Sequence, residues 1–244
     1  MSDSIIASPV AAEFDEIVRG PYTISSRGRV SDEQATTLIK AIRGGSGELD
    51  RSTLGGRSRS AVIGLPGMGN VFVKHYSHGG LLRSITAGRF VGLGPVRSRI
   101  EFEMLERVRS LGVNAPEPYA IVKKGSIVYG TWLVMEELSG TRNLVDIQRG
   151  ESDELHRVMV ALGEQLVVLI KNRILHIDLH PGNVLVSQRG TVYIVDFDKA
   201  HNFRGSASML RDLYLRRWRR AVIKHGLSPV LSEMMSLILR SYSE

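Results

Sequence analysis

The stretch His176–Val186, HIDLHPGNVLV, ends an apolar run. It then places one carboxylate, one histidine, a Pro-Gly pair and one carboxamide before apolar residues resume. Upstream, ESDELHRVMVALGEQLVVLIKNRI (151–174) has the length and apolar content of a long buried helix. Downstream, NVLVS and TVYIVDFD read as two short strands joined by a turn at QRG, so Asp196 ends a strand 18 residues after Asp178. A loop, strand, turn and strand of this size bring Asp178, Asn183 and Asp196 to one edge. Three oxygen-bearing side chains converging there suit a hard cation, and magnesium in particular is held by few protein oxygens and shared with phosphates. One carboxylate is left to accept a proton from an attacking hydroxyl.

Working outward, the N-terminal half has a different texture. SAVIGL (60–65) and NVFVKHY (70–76) flank PGMG, which predicts a hairpin. VRSRIEFEMLERVRSLGV repeats Ile100, Met104, Leu105, Val108 and Leu111 at helical spacing and stops at Gly112. APEPYAIVKKGSIVYGTWLVMEEL then reads as two strands turning at KKGS. SDEQATTLIKAIRGG predicts a short helix with Ser31 as N-cap and Gly44 as stop. Beyond Ser206 two helices are split by HGLSP (225–229). The fold class expected is α+β: a small antiparallel-sheet lobe with one helix (51–140), then a compact, mostly helical lobe (141–244). The boundary falls near SGTRNL, and residues 1–50 form an extension with no role assigned.

Composition narrows the chemistry. The 244 residues are 43% hydrophobic and 23% charged, enough for a real core. The absence of cysteine excludes disulfides, thiolate zinc sites and a cysteine nucleophile. The N-terminus lacks the pattern of a signal peptide and no apolar run approaches the ~18 residues of a membrane span, so a cytoplasmic protein, soluble or peripheral, is expected. A net charge of +7 suits an anionic partner (a phosphorylated substrate, nucleic acid or a membrane surface) or a basic protein with no such partner. No recognition motif accompanies the charge, which disfavours nucleic acid.

HIDLHPGN followed by DFD resembles the catalytic and metal-binding loops of protein-kinase-like enzymes. More narrowly, KHYSHGGLLRS, RSRIEFEMLERVRSLGVNAPEPYAI, DLHPGN and VYIVDFDKAH are similar to the bacterial Kdo kinases, which phosphorylate a 3-deoxy-manno-octulosonic acid (Kdo) residue on lipid A precursors. The resemblance implies a bilobal kinase fold over residues 52 to 225, with ATP and Mg2+ as cofactors and a Kdo-lipid A precursor as acceptor. It implies Asp178 as the residue that orients or deprotonates the acceptor hydroxyl, and Asn183 and Asp196 as magnesium ligands. Lys74 is implied to contact the nucleotide phosphates and Glu101 to hold Lys74, with Glu103 as the rival for that place. Gly55, Gly56 and Arg57 fall in the phosphate-covering loop. Glu136 and Leu138 fall in a hinge whose backbone meets adenine. Aminoglycoside-type kinases, small protein kinases and a non-catalytic kinase-like module are the alternatives.

Some positions depart from the kinase pattern. Ile177 stands where kinases switched on by loop phosphorylation usually carry arginine, and only the short KAHNFRGSAS follows DFD. His180 either meets a phosphate or packs the turn. Asp198, in place of a glycine, either faces the metal or caps the turn. RDLYLRRWRRAVIKHG (211–226) is either a core helix with solvated arginines or a docking face for anionic lipid head groups.

Overall fold

The computed structural model describes residues 13–28, 30–44, 48–49, 60–76, 90–91, 97–126, 128–149 and 152–242. The N-terminal lobe is an antiparallel sheet. Its strands are β1 (Asp15–Arg19), β2 (Tyr22–Ser26), β3 (Glu48–Leu49), β4 (Ser60–Leu65), β5 (Gly69–Tyr76), β6 (Phe90–Val91), β7 (Pro118–Lys124) and β8 (Val128–Glu136). They run in the order β1-β2-β7-β8-β5-β4-β3, with β6 also paired to β8. Helices α1 (Asp32–Gly44) and α2 (Arg97–Ser110) complete the lobe.

The two-residue period of a strand decides what each face does. On β5, Val71 and Val73 join Ala35, Leu38 and Ile39 of α1 in one apolar cluster. Lys74 and Tyr76 fall on the opposite face, where Phe102, Leu105 and Val108 of α2 pack. The sheet is therefore covered by a helix on each side. A buried contact between Ser98 Oγ and Thr131 Oγ1 (2.6 Å) seats the start of α2 on β8.

Within the expected extension 1–50, β1 and β2 join this same sheet and α1 packs against it. Helix α1 follows from Ser31, whose Oγ accepts from Gln34 N (3.3 Å) while Gln34 Oε1 accepts from Ser31 N (2.8 Å). The edge strand β1 is mostly exposed and so carries no clean alternation of its own.

The C-terminal lobe is built on α4 (Ser152–Lys171), with α5 (Ala207–Lys224) and α6 (Val230–Ser241) against it, and the short α3 (Leu144–Ile147) precedes it. Leu162, Leu166 and Leu169 of α4 meet Leu210, Tyr214 and Trp218 of α5 and Leu231, Met235 and Leu239 of α6 in one core. Gly163 permits the approach of α4 and α6, since a Cβ there would lie 2.2 Å from Ile238 Cγ2. Two small ribbons sit above the helices. β11 (Val184–Val186) lies between β12 (Val192–Ile194) and β9 (Arg142–Asn143), and β10 (Ile174–Leu175) pairs with β13 (His201–Asn202).

The lobes are pinned together behind the cleft. Asn114, just after α2, donates its N–H to Gln165 Oε1 of α4 (2.8 Å), and its carbonyl accepts from Ile194 N (2.9 Å). Val192 O accepts from both side-chain amides, at 3.2 Å from Asn114 and 2.9 Å from Gln165.

Candidate active site

β5 aims Lys74 at α2, and α2 answers with Glu101. The Lys74 ammonium lies 2.8 and 3.0 Å from the two Glu101 oxygens and 2.6 Å from Asp196 Oδ1. The Tyr76 hydroxyl, one pleat along β5, also donates to Glu101. Glu101 is 1% exposed, so its carboxylate is tolerable only with such partners. Burial alone would push the Lys74 ammonium down, but the two carboxylates together outweigh it and hold its pKa above the ordinary lysine value. Burial likewise opposes the Asp196 carboxylate, yet Lys74 prevails and keeps that carboxyl below its usual range. Glu103, the rival of Glu101, lies on the solvent face and pairs with Arg99 within the helix (3.0 Å).

The loop around Asp178 is held by its own polar groups. His180 Nδ1 accepts from Gly182 N (3.1 Å), and Asn183 N donates to His180 O (2.8 Å), which closes a 3-10 turn over Pro181–Asn183. His180 thus caps this turn. Asn183 Nδ2 donates to Asp178 O (2.9 Å), leaving the amide oxygen of Asn183 as its outward group. The N–H of Val195 donates to Asn183 O (3.0 Å), and so ties this loop to the strand end that carries Asp196. Asp196 adopts φ 67°, a left-handed conformation that an aspartate tolerates better than most side chains.

His176 is fully buried and braces the same corner. Its Nε2–H donates to Val195 O (3.0 Å), its ring meets Phe197 edge-on (centroids 4.6 Å apart), and its N–H donates to the Tyr214 hydroxyl (2.8 Å). Burial lowers its pKa, which keeps the ring neutral.

Three contacts here escape sequence reasoning. Lys199 Nζ lies 2.7 Å from Asp178 Oδ2. Arg97, at the first turn of α2, forms a two-point pair with Asp198. Arg217 donates to Ile177 O (2.9 Å) and is a brace of the catalytic loop rather than a solvated arginine. The signals available were weak: a basic residue directly after DFD, and an arginine one helical turn before Glu101.

At the hinge, Glu136 N donates to Glu117 O (2.8 Å) and Glu136 Oε2 accepts from Glu117 N (3.1 Å), so both groups are engaged internally. Leu138 O accepts from Thr141 Oγ1 (2.9 Å). Among the described residues nothing accepts from the Leu138 N–H. Gly55, Gly56 and Arg57 lie outside the described residues.

The oxygen donors fit magnesium. Asp196 uses Oδ1 on Lys74, and its side chain remains 41% exposed. Among the described residues no cluster of three or more His, Cys, Asp or Glu side chains could hold an ion. One carboxylate and one carboxamide match a cation that takes most of its ligands from phosphates and water.

The profile of the lipopolysaccharide kinase (Kdo/WaaP) family matches residues 55–229. The chain is 32% identical over 163 residues to a 3-deoxy-D-manno-octulosonic acid kinase of Vibrio cholerae serotype O1, covering 64% of this chain and 68% of that protein. It is 30% identical over 174 residues to the kinase of the same name from Xylella fastidiosa strain M23, covering 70% and 68%.

Proposed function

Since the chain belongs to the lipopolysaccharide kinase (Kdo/WaaP) family, we propose that it transfers the γ-phosphoryl group of ATP to a hydroxyl of a Kdo residue on a lipid A precursor. The observation that carries this reading is the meeting of Lys74, Glu101 and Asp196 from three separate elements beside the Asp178 loop. Each group has a task. The Leu138 N–H meets adenine. Lys74, fixed by Glu101, holds the nucleotide phosphates. Asn183 and Asp196 hold magnesium, which when bound spreads the charge of the phosphate oxygens. Asp178 accepts the acceptor proton as the acceptor oxygen attacks phosphorus, and ADP departs with the electrons of the broken P–O bond. Transfer of this kind depends mainly on positioning and charge neutralisation.

The test is transfer from radiolabelled ATP to Kdo-lipid A precursor, an aminoglycoside panel and a basic protein, with and without magnesium. Label appearing only on the precursor, and only with magnesium, is the expected result. Label on an aminoglycoside or protein instead would overturn the choice of acceptor.

A peripheral membrane contact belongs to the same proposal. No described helix is long and apolar enough to cross a membrane. Along α5, however, Met209, Asp212, Arg216, Arg219, Arg220 and Ile223 share one exposed stripe in which three arginines outnumber one carboxylate. Each basic residue at an anionic surface contributes about 1 kcal/mol, screened by salt. Binding to anionic vesicles is therefore expected to be weak and salt-sensitive, and to fall on Arg216→Glu with Arg219→Glu and Arg220→Glu. Equal sedimentation with neutral vesicles would remove the stripe from the proposal.

A further inference from the structure

We propose that Lys199 is a catalytic residue, the cation that leaves Asp178 and takes up an oxygen of the transferring phosphoryl group. The inference rests on the phosphotransfer reading above and adds a residue to it.

Lys199 Nζ engages Oδ2 of Asp178 at 2.7 Å. Among the described residues Oδ1 has no partner, so it is the oxygen presented to an acceptor hydroxyl. The other cations of the site are committed elsewhere. Lys74 bridges Glu101 and Asp196, and Arg97 is engaged by Asp198. Both lie toward the N-terminal lobe, on the nucleotide side. Lys199 alone among them touches the residue that meets the acceptor. Its side chain is 55% exposed, on a flexible four-carbon stem, so it can move without unpacking anything. A half-exposed pair of this kind contributes little to stability, so the fold does not require it.

The chemistry gives the pair a reason to separate. The acceptor hydroxyl gives its proton to Asp178 Oδ1 as its oxygen forms the new bond to phosphorus. The bond from phosphorus to the bridging oxygen breaks, and its electron pair leaves on ADP. Protonation neutralises Asp178, and the attraction that held the Lys199 ammonium vanishes at the moment the transferring group carries its charge next to it. Lys199 then passes from the neutral carboxyl to a phosphoryl oxygen. Before the transfer it fixes the orientation of Asp178; during it, it stabilises the transition state.

The experiment compares wild type with Lys199→Ala and Lys199→Arg, measuring kcat, the KM for ATP, thermal unfolding, and rescue by added ethylammonium or tetramethylammonium. Removal of one positioned donor is expected to lower kcat by roughly 100-fold. The KM for ATP should stay within about twofold, because Lys74 and the hinge are untouched. Tm should shift by no more than about 2 °C. Lys199→Arg should recover part of the rate. Ethylammonium, which donates hydrogen bonds, should restore activity to Lys199→Ala, and tetramethylammonium should not. A kcat for Lys199→Ala within about threefold of wild type, or a loss that ethylammonium leaves unchanged, would overturn the assignment. If wild type phosphorylates no tested acceptor, the functional proposal fails instead. The same variants are then compared on ATP hydrolysis, where water must give up its proton to the same carboxylate.

Discussion

Replacing Glu101 by glutamine keeps the shape of the buried site and removes one charge. Taking one partner from a buried ion pair costs about 3–5 kcal/mol when the other charge is left alone. Lys74 is not left alone, because Asp196 Oδ1 remains 2.6 Å away, and that carboxylate is 41% exposed and partly screened. The expected destabilisation is therefore nearer ~2 kcal/mol, which in a chain of this length lowers Tm by roughly 4–8 °C. The catalytic effect should be larger. The ammonium now follows Asp196 alone, loses its fixed place over the nucleotide and competes with magnesium for that carboxylate. A fall in kcat of ~100-fold is expected, with a smaller rise in the KM for ATP. Steady-state transfer kinetics and thermal unfolding at the same pH measure both. Glu103→Gln is the internal control. It breaks only an exposed pair one helical turn long, costs under ~0.5 kcal/mol and should leave kinetics unchanged. A Glu101→Gln enzyme with wild-type kcat, or a Glu103→Gln enzyme with the greater loss, would refute the assignment of the pair.

Two further outcomes follow from the same corner. His176 has a folded pKa lowered by burial from about 6.5, so the unfolded chain binds the proton first; stability contributed by the neutral ring is present above that value and is lost as pH falls below it. His176→Asn should therefore lose less Tm than wild type between pH 7 and pH 5, and equal losses would assign the acid sensitivity to other groups. Arg97→Ala and Asp198→Asn should each lower kcat by roughly 10-fold, and the double variant should be no worse than either alone, because both remove one contact; additive losses measured in the four-variant cycle would show that the two side chains act separately.

What was legible in the sequence was what lies close together along it. Asp178, Asn183 and Asp196 sit within one loop–strand–turn–strand unit, whose short strands and turn fix their separation. Lys74 is placed by the family resemblance, and the two-residue period of β5 sets it on the face opposite Val71 and Val73. Glu101 and Glu103 differ by two positions, hence by opposite sides of a helix, and the apolar face marked by Leu105 separates them. The missed contacts join distant positions: Arg97 with Asp198, and Arg217 with Ile177. No local period encodes them. Arg217 is instructive, since on a helical wheel it is one more arginine in a basic run, and only the fold shows that its guanidinium reaches a loop carbonyl. The place of residues 15–26 was lost for a related reason. β2 alternates, but its partners on β7 lie about 100 residues later, and pairing at that range leaves no mark in a short window.

The four residues Asp196–Lys199 tie the parts of the site to one another. Asp196 reaches Lys74 on the sheet, Phe197 packs against His176, Asp198 holds Arg97 on α2, and Lys199 holds Asp178. One short segment thus fixes the strand lysine, the helix and the catalytic loop by its own charges. Kinases switched by phosphorylation require an element with two arrangements, usually a long loop that a phosphate orders through an arginine. Here that element is absent among the described residues. The connection to α5 is short and already pinned, with His201–Asn202 paired to Ile174–Leu175, Phe203 N donating to Arg173 O (2.6 Å), and Ser206 capping α5. Ile177, in place of an arginine before the catalytic aspartate, leaves no cation there to receive a phosphate. The order that a switchable kinase draws from phosphorylation is supplied in this segment by ion pairs to Lys74, Arg97 and Asp178.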